Sequence, residues 1–426
     1  MKLKTARMRL SLDSIFRPFR ARPARSCAGA EGVDFNDLLG RRPVNLDTTQ
    51  LQRFLAGKRV LVTGAGGSIG SEICRQTLKF LPDKLVLLDR GENALFEIDR
   101  ELRQRWVGAD LRPYVADIAD ATRIEQIFQT EQPQVVFHAG AHKHVPMMEQ
   151  NPGEAIKVNV FGTKTVADAA LACGASAFVM ISTDKAVNPT SVMGASKRVA
   201  ELYVQSLNAE RCQLPVVSGQ KERRAGNLHL TTSNSPGTRF VAVRFGNVLG
   251  SNGSVVPIFL NQIATGGPVT VTHPEMRRYF MTIPEASQLV MQAGAIGRGG
   301  EIFVLDMGEQ VRILDLANEL IRRAGLKVGR DIEIAYTGVR PGEKLFEELA
   351  CDTEQTRPTA HAKIHVWQLA TPSPVEVDTM LTNLKKVVNA SRDDVVEALC
   401  QAVPEFRPDG FERIPAEVQL KLVRAA

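Results

Sequence analysis

The sequence contains no run of about 18 apolar residues, the length that a helix needs to cross a bilayer, so we expect no transmembrane span. It also lacks internal repeats and low-complexity tracts. Its six cysteines show neither the spacing of metal ligands nor that of a disulfide framework; they are Cys27, Cys74, Cys173, Cys212, Cys351 and Cys400. We therefore expect no metal site and a reduced, cytoplasmic setting.

The net positive charge is confined to the N-terminus. The formal net charge is +6, but residues 1–25 hold eight Lys or Arg and one Asp, which gives +7, so the other 401 residues sum to −1. A body of this charge has no general attraction for phosphate backbones, and nucleic-acid binding is disfavoured. The Arg-rich N-terminal segment is typical of a disordered tail, which we favour, or of a peripheral contact with the inner face of a membrane.

Short apolar runs alternate with helical segments over the first half of the chain. The runs are KRVLVTG (58–64), KLVLLD (84–89), RPYVADI (112–118), PQVVFHAG (133–140), SAFVMIS (176–182) and FVAVRFGNVLGS (240–251). Unbroken apolar runs between helices predict strands that are buried on both faces of a parallel sheet. The predicted fold class is therefore α/β, a Rossmann-like doubly wound parallel sheet with a smaller C-terminal substrate-binding region.

The composition divides the chain into five segments. A basic tail is expected at 1–32, a linker at 33–57, the dinucleotide-binding domain at 58–240, a substrate-binding region with returning sheet elements at 241–410, and a C-terminal tail at 411–426. A helix is predicted over 194–210, and the polar segment 211–238 reads as a mobile surface loop.

A glycine turn follows the first predicted strand and predicts a dinucleotide site. Gly64, Gly67 and Gly70 are spaced as G-x-x-G-x-x-G, so the backbone can approach a pyrophosphate over a helix N-terminus. Asp89, nineteen residues past Gly70 at the end of the second strand, favours NAD, whereas Arg90 keeps NADP open. The further candidates for cofactor binding are Ser68, Ile69, Asp117, Ile118, Ala139 and Ala141.

The stretch STDKAVNPTSVMGASKR (182–198) carries the candidate chemistry. It places Thr183, Asp184 and Lys185 at the carboxyl end of a strand, and an adjacent Asp and Lys are two proton-handling groups that tune each other's pKa. Lys197 is placed to contact the nicotinamide ribose. The position four residues before it holds Met193, which cannot transfer a proton, where short-chain dehydrogenases usually carry a tyrosine.

Six motifs together resemble the CapD-like polysaccharide-biosynthesis family of extended short-chain dehydrogenases, which includes UDP-N-acetylglucosamine 4,6-dehydratases. They are GAGGSIGSE, HKHVPMMEQNP, STDKAVNPTSVMGASKR, VRFGNVLGSNGSVVPIF, RRYFMTIPEA and RPGEKLFEEL, and the resemblance runs from about residue 33 to about residue 410. Long members carry membrane helices before the linker, where this chain has its basic tail. The 211–238 loop also looks expanded relative to the family.

The resemblance implies a reaction in which the cofactor is used and returned. Hydride leaves sugar C4, a base removes the C5 proton, C6 loses water with the help of an acid, and the hydride returns to C6. Asp184 is implied as the acid at C6 and Lys185 as the base at C5, while the C4 hydroxyl proton leaves through Asp184 or through a water held by Thr183. The methionine at 193 matches a subgroup associated with retention at C5.

The resemblance also implies a substrate site for a UDP-sugar. Asn247 resembles the contact to the diphosphate, and Arg278, Arg340 and Glu343 resemble groups for diphosphate and uridine ribose. Further candidates are Lys143, His144 and Asn159, although Asn159 is better suited to ordering the catalytic helix.

Two other functions stay open. One is a UDP-sugar epimerase of the same superfamily, which would normally depend on the missing tyrosine. The other is a non-catalytic NAD-binding regulator of polysaccharide assembly, which would bind cofactor without turnover. For any of these we expect a homo-oligomer.

Overall fold

The computed structural model describes residues 46–213, 237–349, 356–367 and 372–408. Its main sheet has nine described strands in the order β13-β14-β10-β6-β5-β4-β1-β2-β3. They are β1 (Arg59–Thr63), β2 (Lys84–Asp89), β3 (Leu111–Val115), β4 (Val135–His138), β5 (Ala177–Ile181), β6 (Arg239–Arg244), β10 (Ile302–Leu305), β13 (Thr356–Pro358) and β14 (Ile364–Trp367). All neighbours pair in parallel except at β14, which is antiparallel to both β10 and β13.

Helices cover both faces of this sheet. One face carries α1 (Thr48–Leu55), α2 (Ser68–Leu78), α3 (Glu92–Arg105) and α10 (Ile283–Ile296). The other carries α4 (Ala121–Glu131), α5 (Val145–Gln150), α6 (Pro152–Ala155), a π-helical segment (Ile156–Gly162), α7 (Thr163–Ala172), α8 (Val192–Gln213), α12 (Pro374–Val387) and α13 (Arg392–Ala402). The buried, unbroken apolar strands have this two-sided cover because neither face can be left to water. The predicted doubly wound fold class is confirmed.

The described part of the expected linker 33–57 is not a linker. Thr48–Leu55 forms a helix that begins where Asp47 accepts a hydrogen bond from the backbone N–H of Gln50. Leu51, Phe54 and Leu55 lie on one helix face and are buried against the sheet, and Phe54 meets the ring of Phe137 edge-on at 6.3 Å. This spacing of apolar residues makes α1 part of the core.

A small lobe lies at the carboxyl edge of the main sheet and has its own apolar core. It consists of α9 (Val255–Ala264), α11 (Ile313–Arg323), a sheet of β7 (Asn247–Val248), β9 (Arg277–Met281) and β11 (Gln310–Arg312), and the pair β8 (Val269–Val271) with β12 (Ile334–Tyr336). The rest of the region 241–410 includes elements that return to the main domain. Its β6, β10, β13 and β14 belong to the main sheet, and α12 and α13 pack against α8.

Three of the sequence-based expectations fall largely or wholly outside the described residues: the basic tail 1–32, the C-terminal tail 411–426 and most of the loop 211–238. The catalytic helix predicted at 194–210 is observed as Val192–Gln213. Within the described ranges, no helix combines the length and the apolar character needed to cross a bilayer.

Candidate active site

A cleft of about 600 Å³ opens where the carboxyl ends of β1, β4 and β5 face the small lobe. Hollows of about 160 Å³ and about 270 Å³ adjoin it and share wall residues with it. The wall brings together many of the residues singled out from the sequence: Gly64, Gly67, Ser68, Ile69, Gly70, Ala139, Ala141, Lys143, His144, Thr183, Lys185, Met193, Lys197, Asn247, Arg278, Arg340 and Glu343.

The glycine turn forms one end of the cleft. Gly64 has a φ of +66°, and a Cβ atom added to it would lie 2.7 Å from the carbonyl oxygen of Ala139. At Gly70 an added Cβ would lie 2.0 Å from the carbonyl oxygen of Gly64. Glycine is therefore required at both positions by the close approach of two backbone segments. The N-cap of α2 is Gly67, which has no capping side chain, and the first residues of the helix, Ser68 to Gly70, line the cleft.

The 160 Å³ hollow lies beyond this turn and is lined by Asp89, Arg90, Asp117 and Ile118. The Asp89 carboxylate accepts hydrogen bonds from the backbone N–H groups of Gly66 at 2.9 Å and Gly91 at 2.8 Å. It therefore braces the glycine turn in addition to facing the hollow. Arg90 is exposed beside it.

His138, which was not predicted from the sequence, supports the glycine turn through hydrogen bonds to two threonines. Its Nδ1 lies 2.8 Å from Thr63 Oγ1 and its Nε2 lies 3.0 Å from Thr163 Oγ1. Because Thr163 donates its hydroxyl proton to the carbonyl of Asn159, Nε2 carries the imidazole proton and Nδ1 accepts from Thr63. Complete burial lowers the pKa of His138 to about 3, and the nearby charge of Lys197 acts in the same direction. The ring is neutral at physiological pH.

Asn159 does not lie on the cleft wall, which corrects its placement among substrate contacts. It is fully buried in the π-helical segment, where its side chain accepts from the backbone N–H of His142 and donates to the carbonyl of the same residue. It also donates to Ser196 Oγ on α8 at 3.0 Å. Its short side chain thus ties the loop after β4 to the helix that carries Lys197.

The catalytic candidates follow β5 in one tight turn. Asp184 Oδ1 accepts hydrogen bonds from Thr183 Oγ1 at 2.9 Å and from Lys185 Nζ at 3.0 Å. Lys185 Nζ also donates to Asn247 Oδ1 at 3.2 Å and lies 3.4 Å from Glu347 Oε1. Burial lowers the pKa of Lys185, but the charges of Asp184 and Glu347 outweigh burial and hold that pKa above its usual value. Lys185 is therefore an ammonium at neutral pH.

The carboxylate of Asp184 lies behind the wall. Asp184 is fully buried, and its Oδ2 has no hydrogen-bond partner. Thr183 and Lys185 stand between it and the cleft. Asp184 was expected to act directly on the sugar, but its carboxylate lies beside the backbone of Gly246. The turn instead places the side chains of Thr183 and Lys185 on the cleft wall.

The start of α8 supplies the next part of the wall. Met193 is 3% exposed and carries no group that transfers a proton. Lys197 Nζ donates to the carbonyl of Ile181 at 2.7 Å. Burial lowers the pKa of Lys197 to about 8, against an opposing effect of the Glu201 charge.

The small lobe and the loop after β4 close the far end. Lys143 Nζ donates to the carbonyl of Asn252 at 2.9 Å, and burial lowers the pKa of both Lys143 and His144. Arg340 is half exposed and lies 3.8 Å from Glu343, whose Oε2 is buried with no hydrogen-bond partner.

Arg278 differs from the expected phosphate ligand. It is 7% exposed, and its guanidinium makes three hydrogen bonds to backbone carbonyls, those of Arg277, Lys344 and Leu345. Its Nε also lies 3.6 Å from Glu347. The side chain reaches the cleft wall, but most of its donors brace the RPGEK segment.

The sequence profile of a family described as polysaccharide biosynthesis protein matches residues 60–369. The chain belongs to this family. It is similar to the capsular polysaccharide biosynthesis protein CapD of Staphylococcus aureus, with 50% identity over 366 residues that cover 86% of this chain and 57% of CapD. The predicted resemblance is confirmed. The chain spans about half the length of the curated relatives that it matches at this identity.

Members of the same superfamily with named reactions are also similar to this chain. A UDP-N-acetylglucosamine 4,6-dehydratase (inverting) of Campylobacter jejuni is 32% identical over 294 residues, which cover 68% of this chain and 77% of the relative. A UDP-glucose 4-epimerase of Rickettsia rickettsii is 30% identical over 305 residues, 70% of this chain and 80% of the relative.

Among solved structures, the X-ray structure of Pen from Bacillus thuringiensis is similar to this chain. It has a TM-score of 0.63 and 32% sequence identity, and the match covers 75% of this chain and 88% of Pen. The family thus has nucleotide-sugar dehydratase and epimerase relatives.

Proposed function

We propose that the protein is an NAD-dependent UDP-N-acetylglucosamine 4,6-dehydratase that retains the C5 configuration and serves surface polysaccharide or glycan biosynthesis. The observation that carries the proposal is the chain of hydrogen bonds joining Thr183, Asp184 and Lys185 beside the glycine turn. The similarity to the Campylobacter dehydratase and to CapD supports the same reaction class.

The glycine turn fits a dinucleotide, because the absence of side chains at Gly64 and Gly70 leaves the backbone free to approach a pyrophosphate. Ser68, Ile69, Ala139, Ala141 and Lys197 would hold the rest of the cofactor. Asp89, with Asp117 and Ile118, suits an adenosine and favours NAD, and Arg90 keeps NADP as the alternative. Bound there, the nicotinamide would supply the acceptor for a hydride from sugar C4 and the donor of that hydride to C6.

In the proposed mechanism the protons move through the 183–185 turn. The Thr183 hydroxyl, on the wall, passes the C4 hydroxyl proton to Asp184, which replaces the proton route that a tyrosine would give at position 193. Lys185, in its neutral form, removes the C5 proton. Asp184 returns its proton through Thr183 to the C6 hydroxyl, which leaves as water.

The far end of the cleft would bind the UDP group. Lys143, His144 and Arg340 supply positive charge or donors for the diphosphate. Asn247 lies between this end and Lys185. The unpaired Glu343 Oε2 is an acceptor suited to a ribose diol.

The test is to incubate the protein with UDP-N-acetylglucosamine in deuterated water and to follow the sugar by NMR and mass spectrometry. We expect loss of water and UDP-2-acetamido-2,6-dideoxy-α-D-xylo-hex-4-ulose with deuterium at C5. Lys185→Gln should abolish turnover, and Lys385→Gln, at an exposed position on α12, should not. No loss of water by the wild type with bound cofactor would refute the dehydratase.

Two alternatives predict different outcomes. An epimerase, supported by the similarity to the Rickettsia protein, would yield a C4 epimer without loss of mass. A non-catalytic regulator would bind NAD, form no product and be indifferent to Lys185→Gln. The hydrogen bond between the buried Asp184 and Lys185 on the cleft wall favours the dehydratase over both.

The expected homo-oligomer and the peripheral membrane contact stay predictions. Light scattering of the full chain tests the first. Co-sedimentation with anionic vesicles, with and without residues 1–25, tests the second, and the attraction should weaken as salt is raised.

A further inference from the structure

Glu347 reaches the candidate chemistry from the opposite side of the cleft. It belongs to the RPGEKLFEEL segment and is 4% exposed. Its Oε1 lies 3.4 Å from Lys185 Nζ and 3.6 Å from Arg278 Nε, and its Oε2 is buried with no hydrogen-bond partner. The side chain lines the 270 Å³ hollow. The next residue, Glu348, is half exposed and pairs instead with Lys344 at 3.3 Å.

Lys185 therefore lies between two carboxylates that come from different parts of the fold. Asp184 holds it from the turn after β5, and Glu347 from the RPGEKLFEEL segment. The third charged group nearby, Arg278, donates mainly to backbone carbonyls. Lys185 thus has two carboxylates as neighbours, and the charge of Arg278 offsets part of the effect of Glu347 on the lysine.

In the proposed elimination, Lys185 must lose a proton, and that proton needs an acceptor. An ammonium cannot accept the C5 proton, so Lys185 must first lose a proton of its own. Asp184 is occupied at this stage, because it holds the proton taken from the C4 hydroxyl until C6 loses water. Within the described residues, Glu347 is the other carboxylate within 4 Å of Lys185 Nζ.

We propose that Glu347 stores the proton of Lys185 during the elimination and acts through Lys185, not on the sugar. This inference rests on the proposed dehydratase function. The ammonium gives one proton to Glu347, and the neutral amine then takes the C5 proton as the C6 hydroxyl leaves with the proton from Asp184. When hydride returns to C6, Lys185 gives a proton back to C5, and Glu347 returns the stored proton to Lys185. Every proton is accounted for, and the resting charges are restored.

The test compares wild type, Glu347→Gln and the matched neighbour Glu348→Gln, each as the full chain with bound cofactor. Deuterium incorporation at C5 and loss of water from UDP-N-acetylglucosamine are measured between pH 6.5 and 10. At pH 7 we expect Glu347→Gln to lower kcat on the order of 100-fold with little change in KM, the size of effect typical of a lost proton-transfer group. Glu348→Gln should match the wild type.

The pH profile separates proton storage from a structural role. Without the Glu347 charge, one of the two carboxylates that raise the pKa of Lys185 is gone, so its amine deprotonates to solvent more readily as the pH rises. The rate of Glu347→Gln should therefore climb toward that of the wild type near pH 10, and Glu347→Asp should recover part of the activity at pH 7. An equal loss at every pH, or activity equal to that of Glu348→Gln, would overturn the inference while leaving the dehydratase intact. If the wild type releases no water, both the role of Glu347 and the dehydratase function are refuted.

Discussion

At the scale of single residues, the glycine turn makes the sharpest steric demand. An added Cβ at Gly70 would lie 2.0 Å from the backbone oxygen of Gly64, whereas at Gly67 it would lie 3.2 Å from the same atom. We expect Gly70→Ala to lower the free energy of unfolding by about 3 kcal/mol or more, because backbone cannot yield as a side chain does. Gly67→Ala, at the N-cap of α2, should cost below about 1 kcal/mol. Urea unfolding of both variants measures the difference, and equal costs would contradict it.

The buried His138 predicts acid sensitivity. Its pKa is about 3 in the folded chain and about 6.5 when unfolded, so below pH 6.5 the unfolded state binds a proton that the folded state does not. Stability conferred by the neutral ring is present above pH 6.5 and is lost as the pH falls toward 3. Between pH 6 and pH 4, the wild type should lose about 1.4 kcal/mol more per pH unit than His138→Gln does. Urea titrations at several pH values measure both slopes, and parallel slopes would show that His138 is not the cause.

Which site residues could be predicted from sequence depends on whether their partners are close along the chain. The glycine turn, the 183–185 turn and Lys197 follow directly from motifs whose members lie within a few residues of one another. His138 and Glu347 could not be found in this way, because His138 pairs with Thr63 and Thr163 and Glu347 pairs with Lys185, all far away in sequence. Glu347 belongs to the RPGEKLFEEL motif, but no feature of the neighbouring sequence distinguishes it from Glu348.

At the scale of elements, helix α8 depends on a carboxylate from another helix. The backbone N–H of Val192 donates to Glu149 Oε1 at 2.7 Å, and Glu149 Oε2 pairs with Arg392 of α13 at 3.2 Å. Glu149 thus satisfies the first turn of the helix that places Met193 and Lys197.

We expect Glu149→Ala to cost about 1 to 2 kcal/mol, as a lost helix cap does. Arg392→Ala should cost less than about 1 kcal/mol, because Arg392 is 43% exposed and solvent screens the pair. Chemical denaturation of the two variants gives the comparison. If Arg392→Ala costs as much as Glu149→Ala, the ion pair and not the cap is the stabilising contact.

Element prediction succeeded where periodicity was long and failed where it was short. The buried strands β1, β2, β4 and β5 lie within the predicted runs, and α8 extends the predicted 194–210 by two residues at its start. Helix α1 was hidden because its apolar pattern spans only Leu51 to Leu55, too short to distinguish from a linker. What decides its structure is the apolar surface of α10 and β4 that it covers, which sequence alone does not place beside it.

At the scale of the whole molecule, a cluster of buried charged side chains joins segments that are far apart in the sequence. Arg244 on β6 and Glu201 on α8 are both fully buried and form a bidentate pair. Glu201 also accepts from Ser182 Oγ at 2.7 Å, and the guanidinium lies 3.9 Å from the ring centroid of Trp367 on β14. The cluster therefore connects the antiparallel end of the sheet to the strand that leads into the catalytic turn.

Removing one partner of this pair should lower the free energy of unfolding strongly, and removing the second partner as well should add less than its own single effect. In Arg244→Met the Glu201 charge stays buried and keeps Arg198 as its ionic partner among the described residues, and we expect the free energy of unfolding to fall by about 3 to 5 kcal/mol. Arg244→Met combined with Glu201→Met should cost less than the sum of the two single changes. A double-mutant cycle measured by urea unfolding tests this, and strict additivity would show that the two side chains do not interact.

The contact between Lys185 and Glu347 joins the turn after β5 to the 340–349 segment. The lysine follows a strand of the main sheet, and the glutamate belongs to the 340–349 segment, which is hydrogen-bonded both to the small lobe and to the loop before α8; the two charged atoms are 3.4 Å apart. Because Coulomb attraction falls with distance and rises sharply when water is excluded, the hold on the ammonium proton depends on this distance and on how dry its surroundings are. A ligand that fills the cleft and expels water therefore also strengthens the attraction that holds the lysine proton.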